Sequence, residues 1–183
     1  ITYAAPKLYD IYVTVTGKAA HAGIAHEEGV NAIMLAAAAL SKLPAYGRID
    51  KETTFNVGMF NGGIGTNIVC PEVKFVIDMR SLNVEGLEKL KDETIKIITE
   101  VVTSQGGKVE FDVQEGCPAV SVPTDHACIK LAERAAEKMG LKPELKTTGG
   151  CSDGNFLCGY GLPCALLATG MSNVHTTEEY LKE

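Results

Sequence analysis

Apolar and polar residues alternate along four segments of the chain, which is typical of strands with one buried face. The apolar positions are, in order, Ile11, Val13 and Val15; Phe55, Val57 and Met59; Val73, Phe75, Ile77 and Met79; and Val109, Phe111 and Val113. Four strands are therefore predicted. Asp78 and Arg80 fall on the polar face of the third strand.

Two segments between these strands have apolar residues at helical spacing. One runs from Glu28 to Lys42 and is ended by Pro44, which follows it. The other runs from about Glu85 to Ser104. The stripe expected to be buried on the first helix is Val30, Ile33, Met34, Ala37 and Leu40. The order of elements predicts a ferredoxin-like fold, a four-stranded antiparallel sheet with two helices on one face.

After Gly116 the pattern changes. Pro123 to Met139 predicts a helix with Thr124 as its N-cap, and Ser152 is placed to cap a second, short helix. Leu162 to Ala168 is typical of a fully buried strand. Thr176 and Glu179 have the spacing of a capping box, which predicts a further helix at this point.

These later elements resemble one edge of a layered α/β domain and cannot enclose a core by themselves. The predicted fold class is therefore α+β. A ferredoxin-like domain is expected at residues 1–116, followed at 117–183 by an incomplete α/β segment. The first residue is not methionine and the last follows a predicted helix start, so both ends are expected to be cut.

Composition excludes some classes of function. The formal net charge of −6, without a cluster of Lys and Arg, disfavours nucleic-acid binding. No apolar run approaches the roughly 20 residues that span a bilayer, and no signal peptide is recognisable. The six cysteines form no CxxC pair, so reduced thiols and a cytoplasmic location are expected.

Two of the four histidines have settings that suggest chemistry. His175 follows a predicted buried strand, and the carboxyl edge of an open α/β sheet is where ligands bind. A metal ligand and a structural histidine are both open there. His21 lies among small residues in the segment 17–23, which leaves its ring accessible. His26 and His126 are expected to be solvated.

Three other groups are of a type that can carry chemistry or bind a ligand. Ser152 lies in a G-x-S-x-G pattern, but a polar segment precedes it and a separate acid is missing before His175, so a nucleophile elbow is rejected. Asn67 follows a glycine-rich turn and offers an amide to a ligand. Arg80 is either a fork for a carboxylate or part of a solvated sheet face.

Several segments together resemble a dinuclear-zinc hydrolase family that includes peptidase T, aminoacylases, succinyl-diaminopimelate desuccinylase and the glutamate-releasing carboxypeptidases. The matching segments are 17–23 with 28–33, 66–71 with 78–81, 148–155, and 170–171 with 175–179. The combination is most similar to the peptidase T-like branch. It departs at His26, where the family usually has proline, and at Cys151, where it usually has glycine or threonine.

The resemblance implies a zinc peptidase acting on short peptides, whose lid domain forms a homodimer. His175 would ligate one of two zinc ions, and His21 would stabilise the oxyanion in the partner's site. Asn67, Arg80 and Gly150 would bind substrate, with Arg80 on its carboxylate. The remaining ligands and the general base belong to a front part that this sequence lacks, so the chain alone is expected to be inactive. The alternatives are an N-acyl amino acid amidohydrolase of the same family, or purely an oligomerisation module.

Overall fold

The computed structural model describes residues 1–44 and 46–181. The strands in these residues are β1 (Thr2–Ala5), β2 (Lys7–Thr16), β3 (Gly47–Arg48), β4 (Thr53–Gly62), β5 (Glu72–Ser81), β6 (Lys108–Cys117), β7 (Val120–Ser121), β8 (Lys146–Thr147), β9 (Met171–Ser172) and β10 (Tyr180–Leu181). The helices are α1 (Ala32–Ser41), α2 (Val84–Ser104), α3 (Ala127–Lys138) and α4 (Asp153–Gly159), with a 3-10 turn at His26–Glu28.

The chain divides into two compact units. The first, which we call the lid, is Lys7–Cys117. The second, which we call the C-terminal unit, combines Ile1–Pro6 with the residues from Pro118 onward. The first six residues were expected in the lid. They group with the C-terminal unit because β1 pairs with β7 and β8.

The lid has the predicted ferredoxin-like fold. Its sheet has the strand order β3-β4-β5-β2-β6, and all neighbouring strands are antiparallel. The two-residue β3 extends the predicted four-stranded sheet at one edge. A bulge between Val57 and Met59 interrupts the alternation of β4, so the residues beyond it change face.

The core lies between the sheet and the two helices. The apolar positions of β2 and β5 that alternation predicted are fully buried, and they pack with Phe55 and with Leu87, Ile98 and Val102 of α2. The stripe predicted for α1 is wrong. Its buried residues are Ala32, Leu35, Ala36 and Ala39, whereas Met34 is 65% exposed. Small alanine side chains let this helix approach the sheet closely, which turns the larger side chains outward.

Helix α1 also begins later than predicted. Asn31 is its N-cap, and its side-chain oxygen accepts the N–H groups of Ile33 and Met34 at 3.0 and 3.3 Å. Val30, predicted to be helical, instead forms an antiparallel bridge with Lys18.

The C-terminal unit has a small core of Ala5, Val120, Val122 and Ile129. The helix predicted from Pro123 is confirmed as α3, but its N-cap is His126 rather than Thr124. Ser152 caps α4 as predicted.

The strand predicted at Leu162–Ala168 is wrong. Within the described chain this segment makes one isolated bridge, between Leu166 and Thr2, and its side chains are exposed or half-buried. A strand of this kind needs a hydrogen-bonded neighbour along its length, and β1 supplies one only at this point.

Free thiols are present at Cys70, Cys128, Cys158 and Cys164, as expected. The expectation of reduced thiols is wrong for Cys117 and Cys151, neither of which is a free thiol. Among the described helices, none combines the length and the apolar composition needed to cross a membrane. The cytoplasmic location stays a prediction.

A charged cluster links strand β2 of the lid to helix α2. Glu88 accepts hydrogen bonds from Lys91 at 2.6 Å, from the Tyr9 hydroxyl at 2.6 Å and from Lys7 at 2.9 Å. Both ammonium groups also lie over the Tyr9 ring, at 4.7 and 5.1 Å from its centroid. The bonds from Lys91, Tyr9 and Lys7 together lower the pKa of Glu88 to about 2.

This pKa predicts a loss of stability in acid. The folded pKa of Glu88 lies below the ordinary value of 4.5. The stabilisation that Glu88 gives to the folded state is therefore complete above about pH 4.5 and disappears as the pH falls towards about 2. We expect the difference in unfolding free energy between the native chain and Glu88→Gln to shrink over this window, as measured by denaturant unfolding. Glu85→Gln is the control, because Glu85 pairs with Lys89 in an exposed ion pair. A difference that does not change with pH would contradict the prediction.

Candidate functional site

His21 and Asn67 lie together at one end of the lid sheet. The segments that follow β2 and precede β5 continue to pair beyond the sheet, with an antiparallel bridge between His21 and Ile68. The N–H of Ala22 donates to the Asn67 carbonyl at 2.9 Å. The side chains of His21 and Asn67 are both exposed. The pairing thus brings together the backbones of two segments from distant parts of the sequence, each with an exposed polar side chain.

Glycines make this arrangement possible. A Cβ atom on Gly17 would lie 2.0 Å from the backbone oxygen of Val30, which is closer than any real contact. Val30 in turn exchanges two backbone hydrogen bonds with Lys18, both of 2.9 Å. A Cβ on Gly29 would lie 2.8 Å from the Val69 side chain. The glycines therefore let the His21 segment pack closely against its neighbours.

The ring of His21 is held through one nitrogen. The N–H of Gly23 donates to Nδ1 at 3.2 Å, so Nδ1 acts as an acceptor. A neutral imidazole with Nδ1 as acceptor carries its proton on Nε2. An exposed Nε2–H group is a donor of the kind that stabilises a developing oxyanion.

Arg80 lies far from this pair. It is on β5 eight residues from Glu72, which at about 3.3 Å per residue places it roughly 26 Å along the strand. Glu72 pairs with Thr16, at the end where the His21 segment begins. A single lid therefore does not bring Arg80 to His21 and Asn67.

The guanidinium of Arg80 is paired with Asp78 on the same strand. Nε lies 2.9 and 3.1 Å from the two carboxylate oxygens of Asp78, and Nη2 lies 2.6 Å from Oδ2. Asp10 is the cross-strand neighbour of Asp78. Sequence alternation put Asp78 beside Arg80. It did not find Asp10, because the register between β2 and β5 leaves no local signal in the sequence.

Gly150 lies in the C-terminal unit, between β8 and α4, and is exposed. Its N–H donates to the hydroxyl of Thr148 at 3.1 Å. This bond forms a local turn just before the capped helix α4. The predicted role of Gly150 in substrate binding stays a prediction.

His175 lies in the loop of a hairpin formed by β9 and β10. Its φ of 65° is in the left-handed region, and its N–H donates to Glu179 Oε2 at 2.6 Å. The helix predicted from Thr176 is wrong, because the chain turns here and Tyr180 and Leu181 pair with β9. The His175 side chain is exposed, and its ring makes no hydrogen bond to the described residues. It is therefore accessible to a ligand.

A zinc ion is not accommodated by the described residues alone. A zinc site in a protein has four or more ligands, of which at least three are usually protein side chains. In the described part of the chain there is no group of three or more His, Cys, Asp or Glu side chains placed to hold a metal. His175 offers one donor, so a zinc site at this position would need ligands from outside these residues.

A sequence model of the peptidase dimerisation domain matches residues 7–104, which is more than half of the chain. The chain belongs to the M20 peptidase family. The matched range corresponds to the lid, from the start of β2 to the end of α2. Membership in this family agrees with the resemblance seen in the sequence motifs.

Solved structures extend the likeness to nearly the whole chain. The aminopeptidase PepT from Bacillus cereus is 40% identical, with a TM-score of 0.87, over 98% of this chain and 48% of that one. A tripeptidase from Staphylococcus aureus is 34% identical, with a TM-score of 0.90, over 97% of this chain and 48% of that one. The uncharacterized protein YqjE of Bacillus subtilis is 39% identical over 98% of this chain and 48% of its own length. The chain thus spans about half the length of these M20 relatives.

The hydrogen bond at His21 predicts its tautomer. We expect the neutral ring to carry its proton on Nε2, because a proton on Nδ1 would face the N–H of Gly23. Nitrogen NMR of the histidine rings measures this directly. His26, in the exposed 3-10 turn, is the internal reference. A neutral His21 ring found mainly in the Nδ1–H form would contradict the hydrogen bond from Gly23 to Nδ1.

Proposed function

We propose that the complete protein is a zinc-dependent peptidase that hydrolyses short peptides. This chain supplies its dimerisation lid and part of its catalytic domain. The proposal is supported by family membership and by the two similar structures, which are named as an aminopeptidase and a tripeptidase. Because the described residues contain no group of three or more side chains that could hold a metal ion, the chain alone is expected to be inactive.

The observation that carries the proposal is the separation within the lid. His21 and Asn67 lie at one end of the sheet, and Arg80 lies roughly 26 Å along β5. An extended tripeptide spans only about 10 Å. A short substrate therefore cannot touch both ends of one lid. We propose that each active site uses His21 and Asn67 from one protomer and other groups from its partner.

The proposed roles follow from the groups that each residue presents. The Nε2–H of His21 donates to the oxyanion that develops at the scissile carbonyl. The amide of Asn67, on the paired segment, donates to the same carbonyl or to the neighbouring peptide group. Arg80 binds the substrate carboxylate through its planar guanidinium. Gly150 contributes a backbone group to the substrate, and His175 contributes one imidazole to zinc.

A surface of the lid suits pairing with a second copy. The outer edge of β4 beyond Phe55 is not covered by a strand in the described residues, since β3 pairs only at Thr54 and Phe55. Ile33 of α1 reaches the end of this edge, within 3.8 Å of the position that a Cβ on Gly63 would occupy. Exposed apolar side chains continue along α1, along β4 and into the loop after β4: Ile33, Met34, Met59, Phe60 and Ile64. An open edge beside an apolar patch favours a two-fold pair of lids.

Substrate hydrolysis by the complete protein tests the function. We expect it to hydrolyse tripeptides faster than N-acyl amino acids, and the 183-residue chain to hydrolyse neither. We expect His175→Ala to abolish turnover and to lower the zinc content, while the lid keeps its melting transition. His126→Ala is the matched control, since His126 caps α3. Tripeptide hydrolysis by the isolated chain, or full activity of His175→Ala, would overturn the proposal. Faster turnover of N-acyl amino acids would favour the alternative amidohydrolase.

The oligomeric state tests the pairing surface. We expect the chain to form dimers at micromolar concentration, and Met34→Glu to weaken them because a charge would be buried in an apolar contact. Val113→Glu is the matched control, since Val113 is partly exposed on the opposite edge strand, β6. Sedimentation velocity over a range of concentrations measures both variants. A monomeric native chain, or equal dimerisation of Met34→Glu and the native chain, would count against this surface.

A further inference from the structure

Three charged residues form a cluster on the face of the lid sheet that the helices leave open. Asp78 and Arg80 are two residues apart on β5, and Asp10 faces Asp78 from β2. The side chains of Asp78 and Arg80 are 26% and 33% exposed. Both are thus partly shielded from water, which strengthens their interaction compared with a fully exposed ion pair.

The contact between Asp78 and Arg80 fixes the plane of the guanidinium. Nε and Nη2 both meet the same carboxylate, at 2.6 to 3.1 Å. This is a two-point contact, and a planar group held along one edge cannot rotate about its long axis. An arginine side chain otherwise has many rotamers, and ordering it on binding costs free energy. A guanidinium that is already held avoids part of that cost.

Asp10 adds a second negative charge to the cluster. Burial and the charge of Asp78 raise the pKa of Asp10, while Arg80 opposes this shift. Beside it, a Cβ on Gly116 would lie 3.5 Å from Asp10 Oδ2, and the cross-strand neighbour on β6 is the uncharged Gln114. Two carboxylates therefore share one guanidinium. Of the two, Asp78 makes the direct bonds and Asp10 acts on Arg80 through its charge.

We propose that Asp78 is a positioning residue that orients Arg80 to receive the carboxylate of the substrate. It thereby contributes to a preference for peptides that end in a free carboxylate. This inference rests on the role proposed for Arg80. Loss of the two carboxylates should have opposite effects on substrate binding. Asp78 orders the guanidinium of Arg80, whereas Asp10 only reduces its positive potential.

The test compares a short peptide with its C-terminal amide as substrates of the complete protein. For Asp78→Asn we expect KM for the free acid to rise about tenfold or more, as when a charge-assisted hydrogen bond is lost. We expect kcat, and both constants for the amide, to stay within about twofold, since the amide does not use the fork. We expect Asp10→Asn to lower KM for the free acid. In Asp78→Asn/Arg80→Ala, KM should be no higher than in Arg80→Ala alone.

The outcomes separate the two proposals. If Arg80→Ala leaves the preference for the free acid unchanged, the role of Arg80 fails and that of Asp78 fails with it. If Arg80→Ala removes the preference but Asp78→Asn does not weaken it, only the inference about Asp78 is overturned. An equal loss on the acid and the amide in Asp78→Asn would indicate a merely structural role and would also overturn it. Turnover of the amide shows in each case that the variant is folded.

Discussion

The pairing of β2 with β5 on one side and β6 on the other determines where the chemistry of the lid lies. It runs along the whole length of β2, so alternate residues are committed to opposite faces. Tyr9 is thereby directed towards α2 and its ion cluster, and Asp10 towards the open face beside Asp78. The continuation of the same pairing beyond Thr16 brings His21 to Asn67. One strand register therefore determines both which side chains of the lid face the helices and which lie on the open face.

Sequence pattern predicted the strands because a sheet covered on one face has a visible two-residue period. It failed at α1 for a physical reason. Every residue from Leu35 to Ala39 is apolar, so periodicity cannot distinguish the core face from the outer face. Helical spacing favoured a stripe that includes Met34, whereas the alanines pack on the sheet and Met34 remains exposed. A large apolar residue that faces outward is more informative about a partner than about the core.

The sequence suggested individual residues for the candidate site but not their arrangement in space. Motif resemblance singled out His21 and Arg80, yet their separation along β5 depends on the strand register and could not be read from the sequence. At His175 the capping-box spacing predicted a helix. The hairpin between β9 and β10 takes the following residues instead, because its hydrogen bonds compete with those of a helix. Strand pairing in the tertiary structure overrides a local helix signal where both would use the same backbone N–H and C=O groups.

Strand β5 acts as a spacer of fixed length between two unlike chemical groups. Deletion of two residues within it would keep each remaining side chain on its face but draw Arg80 about 6.6 Å towards the other end. Deletion of one residue would also turn Arg80 inward, among the helices. Exchange of one side chain for another leaves the spacing intact. In the proposed dimer, where each active site uses groups from both lids, the length of this strand is therefore more tightly constrained than its composition.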